Sequence, residues 1–559
     1  MALADDLRAL VDGEVFSDDA TLARYSYDAS IFVVRPEVVV APKHVEDIKA
    51  IVRYVSEHKA TNPKLSVTVR SAGTDMSGGP LGESIILDML PHFQGVVSID
   101  ADKQKAVVLP GTFYRDFEKA TLAQGLLLPC YTASRELNTV GGMGGNNSGG
   151  EKTLSYGKTE DDVIELKMVL ADGEEHTFRA FDRQELEATI HAAADGGFYG
   201  EVLKLVTDNE EEILAAKPAV SKNSAGYALW NIWDRNYFDL NRLFVGSQGT
   251  LGIVTEITFK LVKPKEHSTL LVVFLSSTKW LPAIVQKILS YHPESFESYD
   301  NQTIKIALRY FPSLLKLIGA KNMLKLAWDF RPEFFMVVTG GMPELVMIAE
   351  FTGDSEEIIY KHAQEAGDGV RALQIPGARV HLTHGDEEER KFWTVRRKSF
   401  ELLRSHVSGK RTMPFVDDIV VAPAKLADFL PKLSAILKQY DITYTIAGHV
   451  GNGNFHIIPL MDMRLPRSRE IVPELSSKVY ALVREFSGSI TGEHNDGFVR
   501  TPYLGTMYSP NILKLFAQVK NIFDPLNIFN PGKKVPVGEN GAGTLAYLKE
   551  HLAHDNTHN

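Results

Sequence analysis

Two glycine-rich runs constrain this chain more than any other feature. They are Arg70-Ser-Ala-Gly-Thr-Asp-Met-Ser-Gly-Gly79 and Thr139-Val-Gly-Gly-Met-Gly-Gly-Asn-Asn-Ser-Gly-Gly150. Bare backbone lets several amide N–H groups converge on one anion, and the interleaved Ser, Thr and Asn add donors suited to a pyrophosphate. Common nucleotide templates do not fit. P-loop spacing requires a glycine at position 152, where the chain has Lys152 ahead of Gly157-Lys158-Thr159. The single dinucleotide-type match, Gly367-Asp-Gly369-Val-Arg-Ala372, follows a helix-like stretch rather than a strand and reads as a helix stop. Both runs read as loops that hold a nucleotide in some other way. A third segment, Gly246-Ser-Gln-Gly-Thr-Leu-Gly252, sits just before a strand-like stretch.

Bulk properties narrow the chemistry. A chain of 559 residues, 44% hydrophobic and 23% charged, is long enough for several globular domains. The net charge of −11 and the lack of a basic tail or block argue against nucleic acid as the main partner, although a local positive cleft stays open. Cys130 is the single cysteine. It excludes an internal disulfide, a Cys-rich zinc site and an iron–sulfur cluster. Redox chemistry must then use a non-thiol cofactor, and any metal must be held by His, Asp or Glu. The acidic, amphipathic start lacks the pattern of a signal peptide, and no apolar run is long enough to span a membrane. The expectation is a cytoplasmic protein with no transmembrane segment. Peripheral attachment through a partner and homodimerisation stay open.

Periodicity predicts the organisation. Residues 1–32 look helical. Val33–Val40, Leu65–Arg70 and Ile85–Leu90 read as strands around a helix at Val45–Val55, with the first glycine run leaving a strand's C-terminal end. Further strands are expected at Val96–Ile99, Ala106–Leu109, Val163–Leu170 and Ile253–Leu261, with a helix at Thr112–Gln124. Residues 33–263 thus read as one α+β domain. Beyond Lys263-Pro264 the texture changes. Strands at Leu270–Leu275 and Leu345–Phe351 alternate with helices near Leu281–Ser290 and Ile358–Ala366, which predicts an antiparallel sheet covered by helices on one face. Ala424–Tyr440, Ser468–Phe486 and Asn511–Ile522 are further helices. The expected division is an N-terminal helical segment (1–32), a nucleotide-binding domain (33–263), a substrate domain (264–500), a returning segment (501–540) and a tail (541–559) whose last dozen residues are expected to fray.

Three other constellations carry chemistry. His449-Val-Gly-Asn-Gly-Asn-Phe-His456 places two imidazoles around a tight glycine turn, and Glu493 would complete an N,N,O set for a divalent cation. A buried structural role for His456 is the alternative. Trp393-Thr-Val-Arg396-Arg397-Lys398, followed by Lys410-Arg411, is either a solvated basic helix face or a site for a substrate carboxylate. Phe523-Asp-Pro-Leu-Asn-Ile-Phe-Asn530-Pro-Gly-Lys533 is either a plain helix stop or a segment that returns to a cofactor.

Together these segments resemble the flavoproteins of the vanillyl-alcohol oxidase type, and within them the D-2-hydroxyacid dehydrogenases that act on D-lactate, glycolate or D-2-hydroxyglutarate. The motifs are Arg70–Gly79, Asn146–Gly150 with Tyr156-Gly-Lys158, Phe244–Gly252, Gly448–His456, Gly492-Glu-His494 and Asn530-Pro-Gly-Lys533, in the family's order. The stretch Glu493-His-Asn-Asp-Gly-Phe-Val-Arg-Thr-Pro502 looks most like the branch whose flavin half is often fused to an iron–sulfur half, which is not seen in these residues.

The resemblance implies FAD lying along the first domain. Its pyrophosphate would be cradled by Ser71, Ala72, Gly73, Thr74, Asp75, Met76, Ser77 and Gly78 after Arg70. Thr139, Gly142, Gly145, Asn146, Ser148, Gly149, Tyr156, Gly157, Gly249, Gly252, Ile253 and Asn530 would line the rest. No histidine lies in Ser71–Gly79, so the attachment is expected to be non-covalent. His449, His456 and Glu493 would hold the metal, with zinc or manganese expected. Arg396 would grip the substrate carboxylate, and His494 would be the general base. Lys410 or Arg411 would meet a second carboxylate, and Asn454 joins the substrate-binding set. The partners would be a small 2-hydroxy acid and a separate electron acceptor: a quinone, an electron-transfer flavoprotein or an iron–sulfur subunit. Two alternatives stand beside this reading. One is an FAD-binding electron-transfer subunit of a larger complex. The other is a non-redox transferase like alkylglycerone-phosphate synthase, for which a histidine tract would be expected where the chain has only Glu493-His494-Asn495.

Overall fold

The computed structural model describes residues 3–193, 196–309, 341–406 and 409–556, with backbone alone for 306–309 and 398–406. The side chain of Lys398, from the basic run, therefore lies outside the described residues.

The first sheet contains β1 (Glu14–Phe16), β2 (Val38–Ala41), β3 (Val67–Arg70) and β4 (Ile85–Asp88), in the order β1-β2-β4-β3. β1 is antiparallel to β2, and the rest are parallel. The helix Val45–His58 begins where His44 Nδ1 accepts from Asp47 N at 3.3 Å. Its apolar stripe, Ile48, Ile51, Val52 and Val55, packs against Val38, Val40, Val67, Ile85 and Leu87. Each such buried aliphatic side chain contributes about 1.5–3 kcal/mol. The N-terminal segment is not wholly helical, because Glu14–Phe16 adds a strand to this sheet.

The second sheet is antiparallel. β5 (Val96–Asp100), β6 (Lys105–Val108), β7 (Val163–Val169) and β8 (Glu175–Arg179) are followed by a ribbon of β9 (Phe181–Asp182) with β10 (Tyr237–Phe238). β11 (Ile253–Lys260) closes the order β5-β6-β11-β7-β8. Lys263-Pro264 falls in the connection to the third sheet. That sheet comprises β12 (His267–Leu275), β13 (Ser295–Asp300), β14 (Leu345–Gly353), β15 (Arg379–Leu382), β16 (Arg411–Thr412), β17 (Ile419–Val420), β18 (Thr443–His449) and β19 (Asn454–Met461). Its order is β15-β12-β14-β13-β18-β19-β16, with β17 against β19, and every pairing among the described residues is antiparallel.

Four expectations need correction. The second glycine run is not a loop throughout. Val140–Asn146 is a helix, capped by Thr139 Oγ1 and ended by Asn147 at φ +52°. Gly141 is required by close approach, since a side chain there would strike Pro110. Gly367 and Gly369 do not stop a helix but lie inside Glu356–Arg371, where Gly367 lets the helix sit against Leu271 and Val380. Helices cover both faces of the third sheet. Leu271, Val273 and Met347 meet Ala363, Ala366 and Val370, while Leu270, Val272 and Ile348 meet Phe392, Trp393 and Val395 of the helix Asp386–His406. Finally, the tail is ordered through residue 556. A helix at Ala542–Glu550 is followed by buried Leu552 and Ala553, and Ala553 N donates to Ile31 O at 3.0 Å.

Candidate active site

The first glycine run leaves the C-terminal end of β3 and turns around one carboxylate. Asp75 accepts from Ser77 N at 3.1 Å, Gly79 N at 2.6 Å and Asn146 Nδ2 at 2.6 Å. The Arg70 guanidinium donates to Tyr25 O and Tyr27 O and fills the space a side chain at Gly73 would need. Gly73 also has φ +68°, so two constraints select glycine there. Gln248 ties the segments together. Its Nε2 donates to Ser77 Oγ at 3.1 Å and Asn146 Oδ1 at 3.2 Å, and its Oε1 accepts from Gly497 N at 2.8 Å.

These loops wall one end of a cavity of about 1080 Å³, and His449, His456, Glu493 and His494 wall the other. That volume is at the upper end of the roughly 300–1,000 Å³ typical of ligand sites. Of the expected cofactor residues, Arg70, Ser71, Gly73, Thr74, Asp75, Met76, Gly142, Gly145, Asn146, Ser148, Gly149, Gly249 and Gly252 line it. The others stand behind the wall. Ala72 sits within the first loop. Ser77 is folded onto Asp75, and Gly78 abuts Phe32. Thr139 caps its helix and meets Ser71 Oγ at 2.6 Å. Tyr156 donates to Glu294 Oε2 at 3.3 Å, Gly157 turns against Asp161, and Ile253 is buried in the core of the first sheet. Asn530 is fully buried and donates to Gly79 O at 2.9 Å and Gln248 O at 2.6 Å, stapling two glycine loops to each other.

At the far end, β18 and β19 bring the two histidines of the glycine turn onto one carboxylate oxygen. Glu493 Oε1 lies 3.0 Å from His449 Nε2 and 3.4 Å from His456 Nε2. Lys222, completely buried, donates to Glu493 Oε2 at 2.8 Å. Burial opposes ionisation of Glu493, but Lys222 and His449 outweigh it and hold the carboxyl well below the usual range. His494 stacks on His456 with ring centroids 4.9 Å apart, and its Nδ1 lies 2.7 Å from Asp417 Oδ2. Burial lowers His494, yet Asp418 and Asp417 overcome it and push the ring up to about 9. Asp418 Oδ2 accepts from Thr491 Oγ1 and from the N–H groups of Gly492, Glu493 and His494, at 2.6–2.9 Å. Four donors saturate that oxygen, so Asp418 shapes the turn that presents Glu493 and His494.

Arg396, on the helix Asp386–His406, lines the same end of the cavity, with its Nε 3.1 Å from Glu297 Oε2. Arg397 makes a two-pronged pair with Glu151 at 2.7 and 2.6 Å. Lys410, Arg411 and Asn454 do not line the cavity. Lys410 is exposed, Arg411 is buried and donates to Ser30 O at 2.6 Å, and Asn454 donates to Asp418 Oδ1 at 3.0 Å. Lys222, Gln248, Glu297, Asp417 and Asp418 escaped the sequence reading. Of these, Gln248 alone lay inside a segment already singled out for its glycines.

Two family models match the chain in succession: an FAD binding domain over residues 36–179, and the C-terminal domain of FAD linked oxidases over residues 263–534. The chain thus carries an FAD binding domain followed by an FAD-linked-oxidase C-terminal domain. Among its relatives, D-2-hydroxyglutarate dehydrogenase of Pseudomonas putida KT2440 is 27% identical over 532 residues, covering 93% of this chain and 50% of the relative. The chain thus spans about half the length of that curated relative. Glycolate oxidase subunit GlcD of Bacillus subtilis strain 168 is 27% identical over 529 residues, covering 94% of each. D-lactate dehydrogenase of Archaeoglobus fulgidus is 27% identical over 543 residues, covering 96% of this chain and 99% of the relative. Two solved structures share the fold. 4-Ethylphenol oxidase from Gulosibacter chungangensis has a TM-score of 0.66 at 18% identity, covering 93% of this chain and 94% of its own. Alkyldihydroxyacetonephosphate synthase has 0.64 at 15%, covering 94% and 84%. The fold is that of the vanillyl-alcohol oxidase type, with an FAD-binding domain and an antiparallel-sheet cap.

The cavity lining can be set against both groups that the resemblance implies. Around Gly145 a Cβ would meet nothing within 4 Å, so the glycine helix presents a flush surface to the cavity, open to an extended ligand. At the other end, His456 Nδ1 is buried without a hydrogen-bond partner, and the donor atoms of His449 and His456 stand 3.0 and 3.4 Å from the Glu493 oxygen. Donors about 2.0–2.2 Å from a shared ion lie roughly 3.0–3.6 Å from one another, which matches each histidine's spacing to Glu493; among the described residues, the donor atoms that all lie within 4.8 Å of one another are those of Asp418, His456, Glu493 and His494. Among the described residues no helix is long and apolar enough to cross a membrane.

Proposed function

We propose that the chain is an FAD-dependent dehydrogenase that oxidises a D-2-hydroxy acid of the lactate, glycolate or hydroxyglutarate class to the 2-oxo acid. The observation that carries this reading is the approach of His449 and His456 to one Glu493 oxygen, with His494 stacked beside them, on the cavity that the glycine loops also wall. The names of the relatives support the substrate class. When bound, FAD supplies the two-electron acceptor, and a divalent cation, zinc or manganese, supplies the Lewis acidity that eases loss of the hydroxyl proton.

The chain's own residues do the rest. Ser71–Gly79 and the glycine helix hold the cofactor without a covalent bond. His449, His456 and Glu493 would hold the cation. Arg396 receives the substrate carboxylate. His494, held at Nδ1 by Asp417, offers Nε2 to take the hydroxyl proton. Asp418 and Asp417 raise this ring's pKa, and positive charge beside it would act in the opposite sense. The loss of the substrate's α-hydrogen with its electron pair balances the two-electron reduction of flavin.

The test is an anaerobic screen of D- and L-2-hydroxy acids against the purified flavoprotein, with an artificial dye as acceptor. Dye reduction by a D-2-hydroxy acid is expected, and it should disappear with a chelator and return with zinc or manganese. Bound flavin that no hydroxy acid reduces would overturn the reading in favour of an electron-transfer subunit. Acid precipitation should release the flavin from the polypeptide.

A further inference from the structure

We infer that Glu297 is a positioning residue that joins the carboxylate grip to the metal grip, so that substrate and cation are recognised as one unit. The inference rests on the roles proposed above for Arg396 and His449.

Glu297 has no exposed surface and does not line the cavity. Its two oxygens face different partners. Oε1 lies 2.6 Å from His449 Nδ1, while Oε2 accepts from Arg396 Nε at 3.1 Å and lies 3.0 Å from Arg396 Nη2. The sheet register accounts for the first contact. β13 pairs with β18 through Ser298↔Gly448 and Tyr299↔Ala447, and one further step sets Glu297 opposite His449. The second contact comes from a separate element, the helix Asp386–His406, packed on the face made by Leu270, Val272 and Ile348. One rigid strand residue therefore fixes two groups that reach the cavity from different elements.

Each contact has a definite consequence. Glu297 accepts from His449 Nδ1–H, which leaves Nε2, the atom facing Glu493, as the nitrogen that would meet a cation. A carboxylate behind a ligating histidine orients the ring and raises its basicity, and its loss commonly lowers metal affinity about 10–100-fold. At Arg396, Glu297 holds Nε and Nη2, one edge of a guanidinium that lines the cavity. An arginine already held in place loses less side-chain freedom when it takes a carboxylate. The two ends are thus coupled: disturbing either partner releases Glu297 and reaches the other.

The test uses the FAD-loaded full chain, with Zn²⁺ alone as one probe and oxalate as the other. Zn²⁺ affinity is read by competition with a chromogenic chelator after metal stripping, and oxalate binding by the change in flavin absorbance. Glu297→Gln is expected to weaken both, Zn²⁺ by about 10-fold or more. Arg396→Met is expected to weaken Zn²⁺ binding several-fold by releasing Glu297. Glu297→Gln added to Arg396→Met should weaken oxalate binding no further. Arg396→Met alone keeps the test valid if Glu297→Gln fails to fold. Unchanged Zn²⁺ affinity in Arg396→Met overturns the coupling, as does a loss confined to one probe in Glu297→Gln. A wild-type protein that binds neither probe overturns the functional reading itself, and the inference with it.

Discussion

Lys222 and Glu493, separated by 271 residues of chain, form a buried ion pair 2.8 Å long at the centre of the site. The ammonium occupies Oε2 and leaves Oε1 to the two histidines. Removing one partner of a buried pair commonly costs about 3–5 kcal/mol, because the other charge is left in low dielectric. Lys222→Met should lower the unfolding free energy by about 3 kcal/mol in urea titrations. A loss below about 0.5 kcal/mol, the size of an ordinary surface substitution, would contradict the role assigned to this pair.

His494→Asn should leave flavin content intact while slowing anaerobic flavin reduction by the hydroxy acid at least about 100-fold, the usual scale of general-base catalysis. Stopped-flow absorbance reads this step directly. Near-normal reduction would remove His494 from the chemistry.

Gly145→Leu separates cofactor binding from folding. A side chain there projects into open space in the cavity rather than into protein. The variant should fold with the wild-type circular dichroism spectrum and purify with little FAD. Full flavin content in this variant would show that the cofactor does not lie along the glycine helix.

The Glu151–Arg397 pair sets an acid limit on stability. Burial raises the Glu151 carboxyl, but Arg397 outweighs it and brings the group down from its ordinary 4.5 to about 2. A carboxyl depressed in the folded state stabilises above its unfolded pKa, and that contribution is lost as pH falls through the folded one. The stabilisation is therefore complete above about pH 4.5 and fades towards pH 2. Allowing for the partial exposure of Arg397, it is on the order of 2 kcal/mol. Urea midpoints measured between about pH 5.5 and about pH 3 should fall more steeply in the wild type than in Arg397→Gln. Parallel slopes would show that the pair does not govern acid stability.

What the sequence made legible was local. The glycine runs, the His449–His456 turn and Glu493-His494 each sit within a few residues of one another, so their chemistry is visible as a motif. The helix Val140–Asn146 was not, because helix propensity argues against so many glycines, each costing about 1 kcal/mol, and only contact with Pro110 accounts for one of them. The two-sided burial of the cap sheet was written in Thr269-Leu-Leu-Val-Val-Phe-Leu275, a run without alternation, which signals a strand covered on both faces. Glu297, Lys222 and Asp417 left no local trace. Each is a single charged residue whose partner lies between 77 and 271 positions away, and only the folded sheet reveals why it is buried.

Asn530 and the closing helix also make the shape of the glycine loops depend on distant chain. The staple that joins Gly79 to Gln248 reaches back 451 positions, and Ala553 pairs with Ile31 near the other end of the described residues. Truncation before Asn530 would remove the amide that holds the two loops in register while leaving both loop sequences untouched.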